Sequence, residues 1–261
     1  MLLFEYFLLF VLGIIFGSFI SAVSYRIPNG ISFIKGRSIC TKCKKGINWY
    51  DNIPLLSYLI LGGKCRNCNE KISIRYPVIE ISSAIGFLGI FYFMNTIGGI
   101  PLQGVIGIVT LVYLLVMFLI LLTIFIIDME NQIIPDSLVF LGIFVALTYQ
   151  LLTNQYSLFT VLFSGFLSAS FLMFVHLITK GKGMGLGDVK FAVLGGMIMG
   201  LRLMPIWLLL SFLTGATIGI ILILLRKAKM KTKIAFGPFL IFGIVVTFIL
   251  GNNIMNLMGL I

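Results

Sequence analysis

Apolar stretches long enough to cross a bilayer follow one another along almost this entire chain, and that succession leaves few architectures open. Eight windows can be drawn, at about 3–24, 77–94, 104–127, 137–152, 159–179, 189–201, 204–225 and 235–256. A spanning helix needs about 20 mostly apolar residues, and it satisfies its own backbone hydrogen bonds where no water can. The windows at 137–152 and 189–201 are short, so they cross with little tilt, or one of them is partly re-entrant. Composition excludes a soluble fold: 10% of the 261 residues are charged and 60% are hydrophobic. Ordinary soluble domains carry about 25% charged residues. The expected fold class is all-α and polytopic, with about eight transmembrane helices. The first window lacks the cationic start of a secretory signal peptide and is expected to be a retained span.

The basic residues set an orientation. With the N-terminus outside, connections 25–76, 128–136, 180–188 and 226–234 share the cytoplasmic side. Counting Lys190, just inside the next window, 18 of the 19 Lys and Arg lie on or near that side, and Arg202 is the exception. Connections 95–103 and 153–158 hold no charge. An odd number of spans would scatter the basic loops over both faces, so the parity supports eight. The net charge of +11 is therefore expected to meet anionic membrane lipid. No nucleic-acid-binding module accompanies it, and no nucleic acid partner is expected. Three regions follow: a first span at 1–24, a polar cytoplasmic loop at 25–76, and a membrane bundle at 77–261.

All four cysteines lie in that loop, as Cys40-Thr41-Lys42-Cys43 and Cys65-Arg66-Asn67-Cys68, with 21 residues between the pairs. Two CxxC turns complete a tetrahedral thiolate shell of the kind zinc favours, with no open position, so the expected ion is structural. It would staple a loop too short for a core of its own. Disulfides suit an oxidising face rather than this basic one. A redox pair is the other alternative. The run from Trp49 to Ser57 between the pairs reads equally as packing or as a ligand surface.

Eight acidic residues are few enough for each to matter. Carboxylates near hydrocarbon normally face a bundle interior, a partner or water. Asp128 ends the third window and Asp188 opens the sixth, so both fall at one membrane level. Two opposed carboxylates hydrolyse a peptide without metal. The ionised one draws a proton from water, and the protonated one supports the developing oxyanion. Like-charge repulsion holds them in different states, and they titrate as a pair. Gly183, Gly185 and Gly187 are expected to supply backbone conformations closed to other residues and room for an extended substrate. Taken singly, Asp128 reads as a solvated interfacial residue and Asp188 as a helix cap. Asp136 is expected to N-cap the fourth helix, Glu130 to be a solvated loop residue, and Glu80 to orient the loop or bind a cationic group. His176 is the only histidine. That removes multi-histidine metal sites, and its apolar surroundings read as packing.

The ordered motifs resemble the bacterial type IV prepilin peptidases (prepilin leader peptidase/N-methyltransferases), which are GxGD aspartic peptidases. They run from Phe16-Gly17-Ser18-Phe19 through Tyr25-Arg26-Ile27-Pro28, both CxxC pairs, Asn52-Ile53-Pro54, Ser57, Arg75-Tyr76-Pro77 and Glu80. Asp128, Ile134-Pro135-Asp136, Gly185-Leu186-Gly187-Asp188 and Ala235-Phe236-Gly237-Pro238-Phe239 follow in order. The resemblance implies that Asp128 and Asp188 are the active aspartates of a multi-pass enzyme in the bacterial cytoplasmic membrane. It implies cleavage of type IV prepilins or pseudopilins after the glycine of a short basic leader, on the cytoplasmic side, in pilus assembly or protein secretion. The four-cysteine loop accompanies a second activity in this family, N-methylation of the new terminus from S-adenosylmethionine. Because prepilin leaders are basic, Glu80, Asp51 or Glu70 would supply local negative contacts. The alternatives are a cleavage-only peptidase, a noncatalytic assembly scaffold, and a transporter with a carboxylate-lined cation site.

Overall fold

A computed structural model describes residues 2–32, 38–40, 42–97, 104–181, 183–226 and 234–257. Lys35, Arg37, Thr41, Lys182 and the lysines at 227, 229, 231 and 233, assigned above to the cytoplasmic connections or a cysteine turn, lie outside them. The long helices are α1 (Leu2–Arg26), α3 (Arg75–Tyr92), α4 (Val105–Asn131), α5 (Asp136–Thr153), α6 (Leu158–Ile178), α7 (Leu186–Leu224) and α8 (Gly237–Leu257). A π turn continues α3 through Ile97, and a short α2 (Leu56–Ile60) lies in the polar loop. All seven long helices have the length and hydropathy to cross a bilayer. The chain forms two compact units, Met1–Thr123 and Ile124–Ile261, whose boundary falls within α4.

In the first unit, α1 and α3 pack antiparallel through small residues. A Cβ on Gly13 would stand 2.6 Å from Ala84 Cα, and one on Gly17 would stand 2.7 Å from Glu80 Cα. This four-residue glycine spacing lets two membrane backbones touch. Farther along, Arg75 donates to Ser21 O (3.2 Å) and Ser24 Oγ (2.8 Å), while Tyr6 meets Phe91 edge-on.

In the second unit, α7 is one helix in name only. At about 1.5 Å per residue a straight helix of 39 residues would run about 58 Å, nearly twice the hydrocarbon thickness. It breaks at Gly200, where φ is +66° and ψ is 173°, a region that only glycine occupies readily. The arms 186–199 and 201–224 then fold back on each other. A Cβ on Gly195 would stand 2.3 Å from the Trp207 ring, a contact that residues about 18 Å apart on one straight helix cannot make. The first arm packs on α6, with Ser164 Oγ donating to Gly196 O (2.9 Å) and Ser168 Oγ to Ala192 O (2.6 Å). The second packs on α8, with Trp207 Nε1 donating to Leu240 O (2.8 Å). Counting the two arms separately gives eight apolar helical segments among the described residues, in keeping with the charge parity. Pro205 is tolerated because it sits near the start of the second arm, where the hydrogen-bond ladder has barely begun.

Gly200 carries the fold's sharpest conformational demand. No atom lies within 4 Å of an added Cβ there, so Gly200→Ala is destabilising through backbone strain alone, by about 1–3 kcal/mol. Gly219 is equally open but helical, so Gly219→Ala is neutral or stabilising by up to about 1 kcal/mol. Thermal melting of the two purified variants checks the difference.

Candidate active site and cysteine centre

α4 runs three residues past Asp128, to Asn131, so Asp128 and Glu130 lie in its last turns and Glu130 is helical rather than in a loop. The Asp128 side chain is 4% exposed, and its Oδ2 accepts the Gly237 N–H at 3.0 Å. Gly237 is the first residue of α8, so a carboxylate carried by α4 meets the positive end of another helix. A Cβ on residue 237 would stand 2.6 Å from that oxygen. Asp188 is 9% exposed and lies in the first turn of α7, where its Oδ2 accepts the Gly185 N–H at 3.0 Å. It thereby caps its own helix, and it lies within electrostatic reach of Asp128.

Ile134 fills the space beside the two glycines. A Cβ on Gly187 would stand 3.3 Å from Ile134 Cβ, and one on Gly237 would stand 3.3 Å from Ile134 Cδ1. The glycines before Asp188 therefore serve close packing. They do not supply left-handed backbone: Gly185 has φ −80°, and positive φ falls instead on Lys180 (+50°) and Gly181 (+72°). Asp136 does not cap α5 with its side chain. Pro135 holds the cap position, and Asp136 instead takes the Lys190 ammonium on both oxygens, at 2.9 and 2.8 Å, joining the starts of α5 and α7. Proline before the helix sets the turn, which frees the carboxylate for this pairing. His176, expected as a packing residue, lies in the last turn of α6, and its Nδ1 is 2.7 Å from Met184 O.

The cysteines form a second centre, in the polar loop of the first unit. Both CxxC turns have the same backbone plan. The Cys40 N–H donates to Lys45 O and the Lys44 N–H to Cys40 O; the Cys65 N–H donates to Glu70 O and the Asn69 N–H to Cys65 O. Lys44 and Asn69 take positive φ, and the bridges Ile39–Gly46 and Lys64–Lys71 close the two turns. The four Sγ atoms lie within 4.8 Å of one another, with Cys40 and Cys68 3.8 Å apart. A tetrahedral ion with ligands at about 2.3 Å sets its sulfurs about 3.8 Å apart, so the cluster fits a metal. Backbone N–H groups of Cys43 and Lys42 lower the Cys40 thiol to about 6. The Glu70 N–H pulls Cys68 down, but burial and the three neighbouring sulfurs outweigh it and hold that thiol at about 11.

The acidic residues near this loop are engaged within the protein. Asp51 takes Arg66 in a two-toothed pair at 2.7–3.0 Å, Glu70 lies 3.6 Å from Lys42, and Glu80 accepts the Leu55 N–H at 2.8 Å together with the Ser18 hydroxyl. Glu80 thus orients the loop, holding Leu55 at φ +58° where α2 begins. These contacts link the second cysteine turn, through the 3-10 turn Trp49–Asn52, to α3.

Residues 11–94 match the bacterial peptidase A24 N-terminal domain, and residues 115–220 match the type IV leader peptidase family. A Pseudomonas aeruginosa protein named prepilin leader peptidase/N-methyltransferase is 30% identical over 262 residues, covering 88% of this chain and 84% of the relative. Proteins of the same name from Vibrio cholerae (34% over 221 residues, 79% and 82%) and Legionella pneumophila (33% over 229 residues, 84% and 74%) are similar to it. No solved structure matches significantly. Likeness over most of both chains, joined to seven long apolar helices among the described residues, leads to one conclusion: this polytopic protein of the bacterial inner membrane belongs to the prepilin leader peptidase/N-methyltransferase family.

Proposed function

We propose that the chain is an intramembrane aspartic endopeptidase that removes the leader of type IV prepilins or prepilin-like proteins after glycine, on the cytoplasmic side. It then methylates the new N-terminal amine from S-adenosylmethionine. The observation that carries this reading is that Asp128 and Asp188, 60 positions apart in sequence, lie within electrostatic reach of each other, each held through Oδ2 by the N–H of a helix start. With Oδ2 so engaged, the rest of each carboxylate is available to water and a peptide carbonyl. One aspartate, ionised, takes the proton of the attacking water; the other, protonated, donates to the oxyanion. Residues 77–261 form the peptidase core, and the loop 25–76 serves methylation. The names carried by the relatives support both steps.

Purified protein in lipid, given a prepilin with a basic leader and isotope-labelled methyl donor, yields a product whose mass reports the cut after glycine and one added methyl group. Asp128→Asn and Asp188→Asn each lower cleavage by about 10²- to 10⁴-fold, the range for a positioned acid or base. Either variant working at the parent rate would exclude the two-aspartate mechanism. An unmethylated product, across donor concentrations and pH, leaves a cleavage-only peptidase.

The ion at Cys40, Cys43, Cys65 and Cys68 is zinc on this reading, holding the two turns together. Because Cys68 keeps its proton up to about pH 11 in the metal-free cluster, zinc uptake at pH 7 releases protons. Acidification reverses it, as protons compete with the metal for the thiolates. Titration in weakly buffered solution reads this directly. Cys65→Ser loses the bound zinc by elemental analysis, and methylation falls further than cleavage does.

A further inference from the structure

We propose that His176 is a positioning residue for Asp188, acting through the single peptide unit Met184–Gly185; this rests on the reading of Asp188 as one of the reacting pair. The two ends of that peptide are engaged in opposite senses. Its carbonyl, Met184 O, lies 2.7 Å from His176 Nδ1, and its N–H, on Gly185, donates to Asp188 Oδ2 at 3.0 Å. A carbonyl only accepts, so Nδ1 carries the proton and donates. The amide is conjugated and planar, so a donor at its oxygen fixes the direction of its N–H and strengthens that N–H as a donor. His176 therefore sets the aim and strength of the bond that holds the Asp188 carboxylate.

The surroundings hold the imidazole to this task. α6 ends in a paired backbone closure around His176, with Gly181 N–H donating to His176 O at 2.9 Å and Lys180 N–H to Leu177 O at 3.1 Å. Lys180 takes the left-handed conformation that such an ending requires. Gly181 follows, also at positive φ, and a Cβ there would stand 3.2 Å from the ring's Cε1, so the turn lies against the imidazole. Met184 is 4% exposed, which limits how its carbonyl can turn. A histidine used only to close the helix would need none of the alignment with Asp188, because the backbone bonds close α6 unaided.

The test uses the full chain in lipid with a basic-leader prepilin, measuring kcat, KM and thermal melting. His176→Leu keeps much of the side-chain bulk without the donor. Its kcat falls about five- to tenfold, the worth of one hydrogen bond, with KM within about twofold of the parent. His176→Asn places an amide nitrogen where Nδ1 lies and restores kcat to within about twofold. His176→Gln carries its amide one atom farther and does not. Parent kcat in His176→Leu, or equal losses in the Asn, Gln and Leu variants tracking their melting temperatures, overturns the proposal and leaves a loop staple. If His176→Leu melts below the assay temperature, the Asn and Gln variants alone decide it. Asp188→Asn, run alongside, separates the two claims. Full activity there removes the reading of the pair, whereas its collapse beside an unaffected His176→Leu removes only the role of His176.

Discussion

A carboxylate sunk toward hydrocarbon must be met by donors that water would otherwise supply, and here the donors are the unpaired N–H groups of helix starts. Asp128 takes the first residue of α8, and Asp188 takes the residue before α7. Everything around the pair follows from bringing two helix starts and the end of α4 to one place. Ile134 spaces the glycines, and the Lys190–Asp136 pair locks the start of α5 to α7. A neutral backbone donor has a further merit over lysine or arginine. It stabilises the carboxylate without a fixed full charge that would hold both aspartates ionised.

Within each unit, helices are held together by close contact of small residues. In lipid no hydrophobic force draws one helix to another, so packing and interhelical hydrogen bonds decide association. Glycine and serine supply both. Gly13 and Gly17 bring α1 onto α3, and Ser164 and Ser168 bond across to main-chain oxygens of the first α7 arm. Trp207 does the opposite work, filling the gap over Gly195 between the arms and tying α8 through its indole N–H.

Local order was legible in the sequence wherever the signal was periodic or clustered. The apolar windows lie within a few residues of the helices, and the short sixth window at 189–201 is the first arm of α7. The paired cysteines stand together as their spacing indicated, and Asp128 and Asp188, singled out by motif and membrane level, lie within electrostatic reach of each other. Contacts between distant residues left no such trace. Gly237 stood out as part of a family landmark, but nothing in the chain announces that its N–H reaches a carboxylate 109 positions away. Lone residues misled in the same way. His176 looked like packing because its apolar neighbours in sequence face elsewhere, and Asp136 looked like a cap because its partner, Lys190, lies 54 positions on. Glu130 was assigned to a loop because charge ends an apolar window before it ends a helix.

The shortness of the first α7 arm sets a depth. From Gly200 back to Asp188 the helix rises only about 18 Å, whereas the hydrocarbon layer measures about 30 Å. Were the bend to sit at one boundary of that layer, Asp188 would stop about 12 Å short of the other. The arm would then act as a ruler, setting the two carboxylates in a recess below that face rather than at its edge. On the proposed reading of the two aspartates, a chain to be cut would have to lower an unwound stretch into that recess, and one that holds its helix firmly at this depth would be passed over.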